Sequence, residues 1–472
     1  MASELNWITT NSPDNIIRTD DIWFFDENVG WLVNAAGEAR MTINGGASWD
    51  HRSSNLQTEH GGYLRCMGWS SRDTGWIGLV TGGGAGFEES LLYRTRNGGH
   101  NWEKVSLPVG APGGICGLFA VSSEVVYAAG SNDPDLPGPS VVKTTDGGAT
   151  WTVIPMTAHA DNLIDVYFED ENTGWVVGGK KALACPPTKP GYFGRQQYAQ
   201  LKPVILKTQD GGQSWVNMAA NTEGFVCGEW GWKIQFLPGH QIGFVSLEDL
   251  TGAAMLRTED AGQTWTRLAI KDAGGTVINN NLEGIGFIDS NNGWVGGWGQ
   301  FFQGKFNSFT SDGGRTWSRQ DQNDDVPASD PRVNVNRYRF IGNPPRVIYC
   351  SGKKVYRLSL DQEDAMQGRL MAEVHVASEP EGSSFQPSTL PSDGGVSIHF
   401  SVPEGSRRLK VGIWNNFAVH QCDLYEEVEP APGEREIYWD GSLDCGDSVP
   451  RGCFMGRITI DSKVETFEFS FE

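Results

Sequence analysis

Six eight-residue segments of this chain are near-copies of one another: TINGGASW at 42–49, TRNGGHNW at 95–102, TTDGGATW at 144–151, TQDGGQSW at 208–215, TEDAGQTW at 258–265 and TSDGGRTW at 310–317. Their tryptophans stand 53, 49, 64, 50 and 52 residues apart. Self-similarity at a steady period means that one supersecondary unit is stacked repeatedly. The repeat therefore sets the fold before composition is considered.

The third position of each copy is Asn44, Asn97, Asp146, Asp210, Asp260 or Asp312. A short Asx side chain accepts hydrogen bonds from backbone N–H groups two or three residues on and closes a tight turn. The glycines that follow permit positive φ without a Cβ clash. Threonine belongs to the strand entering the turn, and tryptophan opens the strand leaving it, where the ring fills a gap between sheets. Each copy is thus the tip of a hairpin, and the six Asx residues are structural rather than a catalytic series.

Two further short strands precede each hairpin. Ile22–Phe25, 163–168 and 284–287 are examples of the first, and GWLV at 30–33, GWIG at 75–78 and GWVV at 174–177 of the second. Four short antiparallel strands per repeat make the blade of a β-propeller. A seventh unit, with strands at 338–340, 347–350 and 355–358, has no eight-residue motif after it. Its fourth strand is expected at the other end of the chain, where Asn6-Trp7-Ile8-Thr9 matches the Trp-led strands. Pairing the two ends would close the ring and leave no open edge. The expectation is an all-β chain: a seven-bladed propeller over residues 1–365, with blade seven closed by the N-terminal strand.

These repeats resemble the Asp-box (BNR) superfamily, which includes sialidases, sortilin-type receptors, xyloglucanases and the plant and cyanobacterial photosystem II assembly factors. GWVVGG at 174–179 followed by TQDGGQSW is most similar to the last group. The shared residues are structural ones, so the resemblance implies fold more strongly than function. After Leu360 the motifs stop. Alternating segments at 396–402, 408–414, 436–439, 457–460 and 467–471 indicate a second domain, a β-sandwich over 371–472. Its YWDG at 438–441 and the turn at 445–454 resemble the Ig-like domain of flagellar hook-capping proteins. Residues 378–395 read as a linker or loop.

Net charge is −21, and residues 371–472 hold 7 basic and 18 acidic side chains. Such a surface repels phosphate backbones, so nucleic acid is not an expected partner. No apolar run approaches the ~20 residues of a membrane span. The N-terminus MASELNW lacks the segments of a signal peptide, so the chain reads as cytoplasmic as written, or exported if a signal was trimmed. The eight cysteines show no Cys-x-x-Cys spacing, and neither metal nor cofactor is expected. Cys445 and Cys453 flank a Gly/Pro turn and could pair; for the others, buried free thiols are at least as well supported as disulfides.

In an antiparallel blade the first and third hairpin turns share one face, here short and carrying the motifs. The second-to-third and blade-to-blade loops share the other face, where length varies and function concentrates. The largest insertion, 180–201 in blade four, contains Cys185, Tyr192, Phe193, Arg195 and Tyr198. Glu229, Trp230 and Trp232 precede blade five, and Trp298, Phe301 and Phe302 belong to blade six. The expected contact set over blades four to six is Tyr192, Arg195, Tyr198, Glu229, Trp230, Trp232, Phe301 and Phe302. His60 and the pair His159 and Asp161 lie in other loops of that face. Sialidases need three arginines around a carboxylate; Arg18 precedes blade one, but no triad or Arg-Ile-Pro signature is evident. Xyloglucanases place two aspartates between paired propellers, and one propeller is read here. No known hydrolase pattern is matched. The expected function is a binding or assembly propeller, expected as a monomer, that takes a protein or other ligand on the face opposite the Asp boxes. The alternative is a glycan- or metabolite-directed enzyme with its site in the central funnel.

Overall fold

A computed structural model describes residues 7–13, 19–52, 56, 63–80, 91–131, 138–190, 196–278, 281–297, 307–319, 335–360, 388–392, 395–415, 420–442, 452–461 and 463–471. The chain divides into two compact units, one made largely of residues 1–368 and one of residues 369–472. Seven antiparallel four-stranded sheets make up the first. Their inner strands are Thr19–Phe24, Tyr63–Trp69, Ile115–Ala120, Asn162–Phe168, Trp230–Phe236, Leu282–Phe287 and Arg337–Ile341. Each touches the next in that order, and the last touches the first, so the sheets close into a ring. No described helix is long and apolar enough to cross a membrane.

Burial grades outward from the axis. Second strands such as Gly30–Asn34, Gly75–Val80 and Val126–Gly130 are buried at every position, because sheets cover both faces. The outermost strands Asp50–His51 and Glu103–Lys104 are exposed. In five blades the inner strand ends in an aromatic residue opposite a glycine: Phe24–Gly30, Trp69–Gly75, Phe168–Gly174, Phe236–Gly243 and Phe287–Gly293. A Cβ on Gly174 would lie 2.4 Å from the Phe168 ring. The same aromatic also packs on a second-strand ring of the preceding blade, as Phe168 does on Tyr127 at 3.6 Å and Phe287 on Phe244 at 3.7 Å.

The Asp boxes are turns, as their sequence implies, and the Asx side chain also reaches one residue further. In the box at 208–215 the Gly212 N–H donates to Thr208 Oγ1 at 2.8 Å, and Thr208 Oγ1 donates to Asp210 Oδ1 at 2.8 Å. Asp210 Oδ1 accepts the N–H of Ser214 at 2.9 Å, four residues on, and Asp312 Oδ1 also accepts the N–H of Arg315, three residues on, at 2.9 Å. The other boxes repeat this, with Asn44 accepting from Ser48 and Asp312 from Thr316, each at 2.9 Å. All six box tryptophans are buried. A cation just before the box threonine binds a backbone carbonyl of the next blade's box: Arg94 to Gly147 and Lys143 to Gly211, at 2.9 and 3.1 Å. Lys207 and Arg257 reach Ala261 and Gly313 in the same way, at 3.2 and 2.9 Å.

The ring closes through the N-terminus. Ile8 and Thr9 pair with Arg357 and Tyr356, and the Thr10 N–H donates to Val355 O at 3.0 Å. Trp7 takes the place of a box tryptophan: it meets Trp294 at 6.1 Å, as Trp102 meets Trp31 at 6.0 Å.

In the second unit, Ser388–Ser392, Gly395–Val402 and Gly433–Trp439 form one sheet. His420–Val428, Arg408–Asn415, Gly452–Ile460 and Lys463–Phe471 form another. Val396, Ile398, Phe400 and Val402 alternate inward and share a core with Leu409, Val411, Ile413 and Trp439. The Trp439 indole N–H donates to Ser442 O at 2.9 Å across an Asx turn made by Asp440. The end of the expected loop at 378–395 is in fact a strand, with Leu390 opposite Ser397.

Candidate functional site

The blade-four insertion is built on lengthened strands. Gly174–Lys181 and Leu201–Thr208 each run for eight residues, against five in Gly30–Asn34. Their ladder continues with the Ala182 N–H donating to Gln200 O at 2.9 Å. Gln200 Nε2 donates to Cys185 O at 3.0 Å, and the Lys189 N–H to Gln196 Oε1 at 2.8 Å, next to a 3₁₀ turn at Gln196–Tyr198. A disulfide then joins Cys185 to Cys227, in the segment leading to blade five. The sequence leaves thiol and disulfide open at these two positions, because their 42-residue separation carries no pairing signal. Cys445 and the Cys453 side chain lie outside the described residues. Lys189 Nζ donates to Cys227 O at 2.8 Å and pairs with the buried Asp249 at 2.9 Å. The Gly228 N–H donates to Leu201 O at 2.8 Å.

Four of the expected contact residues are described, and three of them are corrected by their burial. Trp230 and Trp232 are 1% and 6% exposed and form a core with Ile164, Ala199 and Leu201 beneath the insertion. Tyr198, half-buried, stacks on Trp230 at 5.0 Å. Glu229 is fully buried; Arg267 Nε and Nη2 donate to it at 3.0 and 2.8 Å, and the Val226 N–H at 3.0 Å. Burial raises its carboxyl above the usual range although Arg267 opposes this. Aromatic and acidic residues beside a long loop were read as its outer surface, but the loop needs a core of its own. Tyr192, Arg195, Phe301 and Phe302 lie outside the described residues, as do His60, Phe193 and Trp298. Asp161 accepts the Lys181 N–H at 2.7 Å and so holds the strand end, while the His159 N–H caps Met156 O at 2.8 Å.

A second cluster, on the ring axis, was not foreseen. Six inner strands carry a register shift near their start, at Thr19/Asp21, Leu64/Cys66, Ile115/Gly117, Leu163/Asp165, Gly231/Ile234 and Leu282/Gly284. A bulge re-aims side chains, and here charged residues from distant blades meet. Arg65 Nη1 donates to Asp20 at 2.6 Å, and its guanidinium lies 4.9 Å over the Trp232 ring. Trp232 Nε1 donates to Asn336 at 2.9 Å. Arg337 of blade seven binds Asp165 of blade four at 2.9 and 3.0 Å and Asp21 of blade one at 3.1 Å. Lys233 lies 3.9 Å from Asp165, and Arg339 3.5 Å from Asp21. Burial would raise the Asp165 carboxyl, but Arg337 and Lys233 outweigh it and hold it below the usual value. Burial, then the Arg337 charge, pushes the Lys233 ammonium down to about 8. A general acid or base works best with a pKa near the operating pH; Asp165 is moved away from it. The available signal was charge inside otherwise apolar strands, as in LIDVYF at 163–168 and YLRCMGW at 63–69.

Ring, boxes and closing strand define an Asp-box, or BNR-type, β-propeller. Residues 1–155 match the family model of the photosynthesis system II assembly factor YCF48. Over 134 residues, 28% of this chain, it is 32% identical to the photosystem II assembly lipoprotein Ycf48 of Synechococcus sp. (strain CC9902), and the match spans 35% of that relative. The solved structure of YCF48 bound to D1 peptide has a TM-score of 0.51 at 16% identity, covering 76% of this chain and 99% of that one. The GH74 enzyme of Niastella koreensis has a TM-score of 0.52 at 10% identity, covering 97% and 73%. At such identities the structural likeness shows fold alone. The chain thus resembles the photosystem II assembly factors in its propeller.

Proposed function

We propose that this propeller is a binding module for assembly that grips a protein segment on the face opposite the Asp boxes. The observation that carries the reading is how the blade-four rim is held: a disulfide, the Lys189–Asp249 ion pair and the Tyr198–Trp230 stack fix one surface loop. Rigid scaffolding under a loop pre-organises a binding surface and lowers the ordering cost of association. Tyr192, Arg195, Tyr198, Phe301 and Phe302 are the proposed contacts, with Trp230 and Trp232 in the core on which Tyr198 packs and Glu229 beside them. The similar YCF48, solved with a D1 peptide, supports a peptide or protein as ligand. The axial carboxylates Asp20, Asp21 and Asp165 each face a cation, which favours this reading over a hydrolase in the funnel.

Photo-crosslinking residues placed at position 198 and, on the box face, at position 213 test the reading in the full chain. Adducts are expected from 198, and adducts from 213 alone would overturn it. Tyr198→Ala together with Arg195→Ala should weaken the captured partner about tenfold, or ~1.4 kcal/mol.

A further inference from the structure

We propose that the Cys185–Cys227 disulfide is a redox clasp that sets the shape of the loop face, an inference that rests on that face being the working one. Cys66, Cys116, Cys350 and Cys422 are buried within strands of the two units. Cys185 and Cys227 instead lie outside the blade ladders, in the insertion and in the segment before blade five. Cys227 is half-exposed, and its neighbours Glu223, Gly224 and Val226 are exposed. Thiol–disulfide exchange depends on such access to one sulfur, so this bond opens while the fold stays closed.

The clasp also positions what flanks it. Leu183, 99% exposed, stands two residues before Cys185, and Val226, 41% exposed, one before Cys227. With the two cysteine Cα atoms 5.6 Å apart, the bond fixes the separation of these two apolar side chains. When it opens, described links remain at Lys189, Gly228 and Tyr198, and the stretch at 182–188 loses its covalent anchor. The chemistry balances with a dithiol reductant. One thiolate attacks Cys227 Sγ and Cys185 leaves; the second thiol then displaces Cys227. The reductant ends as a disulfide, and two electrons and two protons pass to the cysteines. The clasped form belongs to an oxidising compartment, where disulfides persist.

The native full chain, with and without dithiothreitol, is alkylated and in parallel digested with limiting trypsin. Reduction is expected to open Cys185 and Cys227 to alkylation and to speed cleavage after Lys181 roughly tenfold, since cleavage follows the open population. The Cys185→Ser/Cys227→Ser variant should be cleaved fast without reductant, with an unchanged β-sheet circular dichroism spectrum. Equal cleavage in both redox states overturns the clasp. So does fast cleavage with a lost spectrum, because the bond would then hold the fold and not the rim. Neither readout needs a partner, so failure here is distinct from failure of the crosslink at 198.

Discussion

Phe168 and Gly174 face each other across the first hairpin of blade four, and the ring fills the space a Cβ would need. Blade three solves the same position with Ala120 opposite Val126, and blade seven with Ile341 opposite Val347. The Gly-Trp pairs were legible as strand starts, yet their cause lay in a partner some six residues away. Gly174→Val should cost ~1–3 kcal/mol by overpacking, and Phe168→Ala ~3–5 kcal/mol. The double variant, which recreates the blade-three pair, should cost less than the sum by ~0.5–3 kcal/mol. Urea unfolding of the four proteins measures the coupling, and strict additivity would refute it. The box acids give a second case. Hydrogen bonds from the Ser214 hydroxyl and N–H and from Thr208 push the Asp210 carboxyl down to about 2, and Asp146, Asp260 and Asp312 are also lowered. A carboxyl lowered by folding stabilises the fold above its unfolded value of ~3.9, and that stability is lost as pH falls through the folded value. Melting temperature should therefore drop between pH ~4 and ~2. Asp210→Asn, which copies Asn44 and its bond from Nδ2 to Ser48 Oγ, should fold and lessen that drop. An unchanged acid profile would count against the box as its source.

At the scale of elements, whatever depends on local pattern was readable, and whatever depends on register was not. Trp7-Ile-Thr repeats the exit of a box, so the closing strand could be placed before its partner was seen. The inner-strand bulges leave no such trace, because a one-residue shift is defined only against the paired strand. The insertion was legible by length, but the inward orientation of Trp230 and Trp232 was not, since exposed and packed aromatics look alike in sequence. Among the described residues the closing strand carries two ladder positions, Ile8 and Thr9, so much of its hold comes from the buried Trp7. Trp7→Ala should cost about 3–5 kcal/mol, the usual range for a buried tryptophan. Thr9→Ala should cost far less. Denaturant midpoints of the two variants decide this, and equal losses would mean that the backbone pairing, not the ring, closes the propeller.

For the whole molecule, the axis is where distant parts of the chain are tied together. Arg337 binds Asp21 and Asp165, which lie 316 and 172 residues away. No window of sequence shows that meeting; it follows only from ring closure. Arg337→Ala would leave two buried carboxylates without this cation, and breaking a buried pair costs ~3–5 kcal/mol. Removing the charges together, as Arg337→Met with Asp165→Leu, should recover part of the loss, since apolar replacement of a buried pair is often neutral. The second unit has its own core, drawn, among the described residues, from 396–460. A fragment covering 371–472 is accordingly expected to fold alone, with a cooperative melt and a buried Trp439. Calorimetry of the full chain should then show two transitions, of which Arg337→Ala lowers only one. If that substitution shifts both equally, the two units unfold as one, and the separate cores do not mark separate domains.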